Sequence, residues 1–312
     1  MYTVSTKFEG EKSKMKKVLL AILSLVMACG IGIAAVGCAD NTSSDASGTI
    51  IVVSREDGSG TRSAFIELTG IETDEDGDRT ISSAMITNST NMVLTTVADA
   101  VNAIGYVSMG SLNDQVKALS VDGVAATADN VLAGTYKLAR PFNIAYKTGT
   151  TNEIRDDFIK YIYSDQGQAI VTQENYIAIP EGDDQRTGSY TSPGNLSGSI
   201  TVGGSSSVSP LMEKLIEAYE ALNSGVTINL QTSDSTAGMS GAAEGTFDIG
   251  MASRDLRETE LANLTGMAIA QDGIAVVVNP SNSLSDIEMT MICNIYIGQV
   301  TTWEQVKGES AE

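Results

Sequence analysis

Short apolar, β-branched runs alternate along this chain with stretches of helical periodicity, and the junctions between them are rich in Gly and Ser. Ile50 to Val53 precede a Gly turn, Thr227 to Leu230 precede a Ser-rich turn, and Ile274 to Asn279 form a third such run. Short runs of this kind suit strands, whereas apolar residues three and four apart define one face of a helix. Leu211, Leu215 and Tyr219 have the helical spacing, as do Ile154, Phe158 and Ile162. Strands alternating with helices bury their apolar faces as sheet against helix, so the expected class is α/β. Ser209 is the expected N-cap of the first of those helices, with Pro210 at its first position. No segment repeats at a fixed period, which excludes a solenoid.

The junctions carry the candidate chemistry. Ser54-Arg55-Glu56-Asp57-Gly58-Ser59-Gly60-Thr61-Arg62 leads from the first strand into Ala64 to Leu68, which reads as helix. A strand, a Gly-rich turn and a helix start together present free backbone N–H groups and a positive dipole end to an anion. Gly58 and Gly60 permit close approach, Ser59 and Thr61 add hydroxyl donors, and Arg55 supplies a planar guanidinium fork. Asp57 is expected to hold that fork in place. No Lys follows the glycines at the spacing of a nucleotide-binding P-loop. Three further turns share the arrangement: Val202 to Pro210, Thr232 to Gly238, and Asp248 to Arg254. Each alone is also what a capping turn looks like. Together, many neutral donors around one Arg suit a small oxyanion that must be stripped of water and fully hydrogen-bonded.

Charge and composition narrow the function further. The chain has 312 residues and a formal charge of −20. Five Lys and two Glu lie in residues 1 to 37, so the remainder carries about −23 by formal counting. Such acidity argues against nucleic acid or an anionic membrane surface as partner, and it requires an anion to be bound by local dipoles against the global field. The sequence contains no histidine, which removes most zinc sites, the Ser-His-Asp triad and the commonest general base. A phosphotransfer reading with Ser59 or Ser206 as nucleophile therefore lacks an evident base. No metal and no cofactor are implied.

Met15-Lys16-Lys17 precedes an apolar run from Val18 to Val36, the charged and apolar regions of a secretory signal. The run ends Ala35-Val36-Gly37-Cys38 and is followed by a Ser/Thr/Asp-rich stretch to Gly48. This resembles a bacterial lipobox, with Ala35 at its first position and Cys38 as the lipidated residue. The expected parts are an upstream extension at 1–14, a lipoprotein signal peptide at 15–37 and a flexible tether at 38–48. An uncleaved anchor is the alternative, since about 19 residues can just span a bilayer. Either way the globular part is outside the cell membrane. Cys29 and Cys38 lie in the leader, so Cys293 is left unpaired and reads as a free buried thiol.

The segments GSSSVSPLMEKLIEAY, FDIGMASRDL, GIAVVVNP, VVSREDGSGTR and NAIGYVSMGSL resemble the phosphate-binding proteins of bacterial phosphate ABC transporters. The resemblance covers nearly everything from Gly48 to Gly308. It implies a two-lobed periplasmic-binding-protein-like fold (type II), each lobe a mixed sheet flanked by helices and the two joined by hinge strands. It also implies inorganic phosphate held in the cleft, delivery to the permease subunits of an ABC importer, and no chemistry on the ligand. Carried over by motif, the ligand residues are Ser206, Ser207, Ser235 and Ser253 from one lobe and Arg55, Ser59, Gly60 and Thr61 from the other, with Asp57 bracing Arg55. Some members of the family carry Asp where this chain has Ser253, so exclusion of sulfate is expected to be weaker here.

The order of the motifs departs from the family. GSSSVSP opens the family's chain and VVSREDGSGTR lies mid-chain, whereas here the second precedes the first. A circular permutation accounts for this, with residues 183–198, polar and rich in turn formers, linking the family's original termini. The expected lobes are 49–140 with 280–312, and 141–182 with 199–279. Phe142 to Lys147 and Ile274 to Asn279 are the expected hinge strands. A monomer is expected. A rearranged gene leaving an open half-lobe would instead give a swapped dimer. Other readings are a surface sensor or adhesin with the same fold, or a receptor for sulfate, molybdate or tungstate.

Overall fold

The computed structural model describes residues 45–308. The 1–14 extension, the 15–37 leader, Cys38 and the first part of the 38–48 tether lie outside the described residues, as do residues 309–312. In chain order, β1 (Ile51–Arg55) turns into α1 (Gly60–Leu68), and β2 (Met85–Thr87) turns into α2 (Thr90–Asp99). β3 (Ala103–Ser108), β4 (Ala139–Lys147), α3 (Glu153–Ile162) and α4 (Asp165–Gln173) follow. Then β5 (Gly198–Ser205) leads into α5 (Ser209–Leu222) and β6 (Val226–Ser233) into α6 (Ser235–Glu244). β7 (Ile249–Ala252), β8 (Leu264–Val278) and α7 (Met289–Tyr296) complete the main elements.

The strands form one mixed sheet in the order β6-β5-β7-β4-β8-β3-β1-β2. β1 runs parallel to β2 and β3, and β5 runs parallel to β6 and β7. The long strands β4 and β8 lie between these two groups, antiparallel to each other and to their neighbours. Two large apolar cores and two smaller clusters result among the described residues. One gathers Phe65, Tyr106, Ile292, Tyr296 and Trp303; the other gathers Phe158, Tyr161, Leu211, Tyr219 and Met251. In the first, Phe65 stacks on Tyr106 with ring centroids 3.9 Å apart and meets Tyr296 edge-on at 5.0 Å. Each such pair adds about 0.5–1.5 kcal/mol beyond the area it buries. The Tyr296 hydroxyl donates to the Val53 carbonyl at 3.0 Å, so this aromatic group also fixes the position of β1.

The lobe boundary differs from the expected one. Ile274, Val276 and Val278 pack in the first core and pair with β3, so this part of β8 belongs with the first lobe rather than with residues 199–279. Phe142 to Lys147 likewise lies inside the second lobe's sheet, bonded to β7 and β8. The chain crosses between lobes where Ala139–Phe142 of β4 faces Ala270–Gly273 of β8. The apolar run Ile274 to Val278, buried on both faces, reads the same in either lobe, so its hydrophobic pattern does not assign it to one of them. The crossing is marked instead by a charged pair in register, Arg140 opposite Asp272.

Asp272 is fully buried and Arg140 is only 4% exposed. The Asp272 carboxylate accepts from Arg140 Nη2 at 3.0 Å and Nε at 3.3 Å, and from the Ser108 hydroxyl at 3.0 Å. Burial pushes the Asp272 carboxyl up and the Arg140 guanidinium down, and their mutual attraction opposes both shifts.

Between residues 179 and 197 there is no helix or strand, but the segment is firmly held. Tyr190 is 5% exposed within the second core and donates to Asp157 Oδ2 at 2.6 Å. The Thr187 N–H bonds the Tyr163 carbonyl at 3.1 Å, and the Asp165 N–H bonds the Gly188 carbonyl at 2.9 Å. The two ends of the described chain meet at the first lobe. The Ile50 N–H bonds the Thr301 carbonyl at 2.8 Å, the Trp303 N–H bonds the Gly48 carbonyl at 3.0 Å, and Lys307 Nζ reaches Asp45 Oδ2 at 2.5 Å. Cys293 is free but half-buried rather than buried.

Candidate functional site

Both groups of parallel strands direct C-terminal ends to one place, as open α/β sheets do at a ligand crevice. β1, β2, β5 and β6 each turn there into a helix, so the N-termini of α1, α2, α5 and α6 converge, and β7 ends at Ser253 beside them. Each helix start is equivalent to roughly +0.5 of an elementary charge, with N–H groups that the helix itself leaves free. Ser59 caps α1 by accepting from the Arg62 N–H at 3.3 Å, and Asp234 caps α6 by accepting from the Ala237 N–H at 2.8 Å. Ser209 was the expected cap of α5. It is instead the first helical residue, with Val208 at the cap, and its hydroxyl donates back to the Ser205 carbonyl at 3.1 Å.

The four turns singled out in the sequence come together here. The Thr61 and Ser207 hydroxyls are 2.7 Å apart and join the two lobes. Ser205 Oγ donates to Ser253 Oγ at 2.9 Å, and the Ser253 N–H donates to Ser235 Oγ at 3.1 Å. Arg140 Nη1 holds the Ser253 carbonyl from below at 3.0 Å. The lobes also meet through backbone, the Thr236 N–H bonding the Gly58 carbonyl at 3.2 Å. Two close approaches allow this. Gly204 has φ +134, and a Cβ on it would lie 2.9 Å from the Gly238 Cα, so β5 and α6 touch backbone to backbone. At Gly60 a Cβ would stand 2.4 Å from Ser235 Oγ and 2.9 Å from Ser253 Oγ. Arg55, Ser59, Thr61, Ser206, Ser207, Ser235 and Ser253 are all buried, none more than 8% exposed.

Arg55 is braced by Glu56, not by Asp57. Glu56 Oε2 accepts from Nε and Oε1 from Nη2, both at 2.7 Å. The reason is where β1 stops pairing. The Glu56 N–H still bonds the Thr87 carbonyl at 3.0 Å, extending the ladder by one residue, whereas Asp57 lies beyond it in the turn. There the Asp57 side chain is 95% exposed and pairs with Arg62 at 3.0 Å. Tyr106 also positions Arg55, its hydroxyl oxygen accepting the Arg55 N–H at 3.1 Å and lying 2.9 Å from Ser54 Oγ. Burial pushes the Tyr106 hydroxyl up, against the pull of its Ser54 and Arg55 contacts, so it stays neutral.

Thr90, Glu56 and Ser205 were not anticipated. Thr90 had a legible local signal, since Ser89 precedes the helical spacing of Val93, Leu94 and Val97 and caps α2 by accepting from the Met92 N–H at 3.3 Å. Nothing local placed that helix start beside Arg55. The parallel register of Arg55 with Thr87 does so.

The PBP superfamily domain matches this chain over residues 40–166 and 189–312. The chain belongs to that superfamily. Within it, a phosphate-binding protein PstS 2 from Streptococcus pneumoniae serotype 4 is 47% identical over 298 residues, covering 94% of this chain and 100% of its own length. The crystal structure of a phosphate-binding protein of a phosphate ABC transporter, also from Streptococcus pneumoniae, is 48% identical with a TM-score of 0.66 and covers 83% of this chain and 100% of its own. A phosphate-binding protein PstS from Bacillus subtilis is 35% identical over 136 residues, 42% of either chain. The α/β architecture expected from the sequence is that of the superfamily.

Proposed function

We propose that the cleft captures inorganic phosphate and that the chain is an extracytoplasmic receptor handing it to an ABC importer. The observation that carries this is the convergence of hydroxyls from four separate turns with one guanidinium, all buried between two lobes at the starts of four helices. Because Glu56 offsets the charge of Arg55, the guanidinium contributes directed hydrogen bonds from its free edge, and the remaining attraction for an anion comes from the helix ends and neutral donors. Such a site accepts a small anion despite a chain charge of −20. No hydrogen bond among the described residues links the Ser59 or Ser206 hydroxyl to a carboxylate, which gives a nucleophilic reading no base. The name and near full-length match of the pneumococcal relative support the same ligand and role.

Export and a lipid anchor at Cys38 remain part of this reading, as does a monomeric state. So does the permuted order, with residues 183–198 joining what are termini elsewhere in the family. It is supported by the meeting of residues 45–50 with 301–307, and by the contrast between near full-length identity to the pneumococcal relative and a match of 42% to the Bacillus subtilis one.

Calorimetric titration of the leaderless protein tests the reading. Phosphate is expected to bind with a stoichiometry of one, and sulfate and molybdate more weakly. Absence of heat with phosphate in a folded sample refutes it. Gly60→Ala is expected to weaken phosphate binding about 5- to 150-fold, the range that corresponds to an overpacking cost of about 1–3 kcal/mol. Its added carbon would press on Ser235 and Ser253 of the facing lobe. Affinity unchanged by this substitution would show that the closed arrangement is not the one that binds.

A further inference from the structure

Glu56 occupies one edge of the Arg55 guanidinium, through Nε and Nη2. The other edge faces the cleft, where Nη2 donates to Ser206 Oγ at 3.1 Å and Nη1 donates to Thr90 Oγ1 at 3.4 Å. Thr90 is 4% exposed and is the first residue of α2, a helix from the first lobe that no sequence motif connected with the site. Its hydroxyl also lies 3.2 Å from Ser207 Oγ and 3.4 Å from Ser206 Oγ, so it touches both lobes at once.

A threonine hydroxyl has one proton and two lone pairs. The Arg55 contact uses one lone pair, which leaves the proton and the other lone pair for the two serines. Those separations exceed the roughly 2.7–2.8 Å of a relaxed hydroxyl pair, in contrast to the 2.7 Å between Thr61 and Ser207. The Thr90 proton is therefore held only loosely by its present neighbours. An oxyanion gripped by the outward edge of Arg55 lies within reach of the same hydroxyl and of the free N–H groups of the first turn of α2.

We propose that Thr90 is a direct ligand of the bound anion, donating its hydroxyl proton to an oxygen that Arg55 also holds, and that the start of α2 is part of the binding site. This rests on the phosphate reading above. Thr90→Val keeps the branched shape and removes the hydroxyl, Thr90→Ser keeps the hydroxyl, and Thr90→Ala serves should the valine variant not fold. All are compared with the parent protein by calorimetry with inorganic phosphate and by thermal melting without it. The valine and alanine variants are expected to bind phosphate at least ~10-fold more weakly with an unshifted melting point, and the serine variant within ~3-fold of the parent. A structural role alone would instead lower the melting point of the valine and alanine variants. Binding by the valine or alanine variant within ~2-fold of a parent that does bind phosphate overturns the proposal and leaves the phosphate reading intact. A folded parent that takes up no phosphate overturns both.

Discussion

Arg55→Ala is expected to weaken phosphate binding at least ~100-fold, and more than any other single substitution in the cleft. Two effects act in the same direction. The variant loses charge-assisted hydrogen bonds to the anion, each of about 1.5–3 kcal/mol. It also leaves the Glu56 carboxylate, now bonded at 2.7 Å through two oxygens to Arg55, without its partner and beside the incoming anion. The second effect separates this account from one in which Arg55 is a generic positive charge. If Glu56 is what repels the anion, the double variant Arg55→Ala with Glu56→Gln recovers about tenfold of the loss, the size of one removed charge contact. A double variant no better than the single one, by calorimetry, would show that the unpaired Glu56 carboxylate does not oppose the anion. Asp57→Asn should leave affinity within about twofold, because that side chain is solvent-exposed and bound to Arg62.

Asp272→Ala is expected to lower stability by about 3–5 kcal/mol, the cost of leaving a buried charge unpaired. In a domain of this size that corresponds to a fall in melting temperature of roughly 6–20 °C, read by calorimetry or circular dichroism. Asp272 is fully buried and is held by Arg140 and Ser108, so its removal strands the Arg140 guanidinium at the crossing between lobes. Removing both charges, as Arg140→Met with Asp272→Leu, is expected to cost far less, because desolvation largely cancels the attraction within such a pair. Since Arg140 also holds the Ser253 carbonyl at 3.0 Å, the single variant should weaken phosphate binding along with stability. A variant that melts within about 2 °C of the parent would show that the pair is not what fixes the crossing.

The site was legible to the extent that its parts are local. Arg55, Ser59, Gly60 and Thr61 occupy one strand-turn-helix unit, Ser206 with Ser207 and Ser235 occupy two others, and Ser253 follows the end of β7. Each unit signals itself within about ten residues, because a helix start needs capping hydroxyls and a tight turn needs glycine. Glu56 rather than the expected Asp57 braces Arg55 because the strand pairs one residue further. Sequence pattern does not resolve whether Glu56 or Asp57 is the last residue to pair, and the bond from the Glu56 N–H to the Thr87 carbonyl decides it.

By itself, then, the sequence determined an α/β chain of helix-capping, hydroxyl-rich turns with one guanidinium among them, since those are properties of short segments and of the periods with which side chains leave a helix or strand. The tertiary structure alone decided that α2 delivers Thr90 to Arg55, 35 residues away, and that Arg140 meets Asp272 across 132 residues. It also decided that the chain passes between lobes at Ala139–Phe142 and Ala270–Gly273 rather than further along those strands. These depend on strand register and on which of two cores an apolar residue joins. A Val or Ile buried on either side is the same to the sequence, and only the packing of distant segments against it distinguishes them.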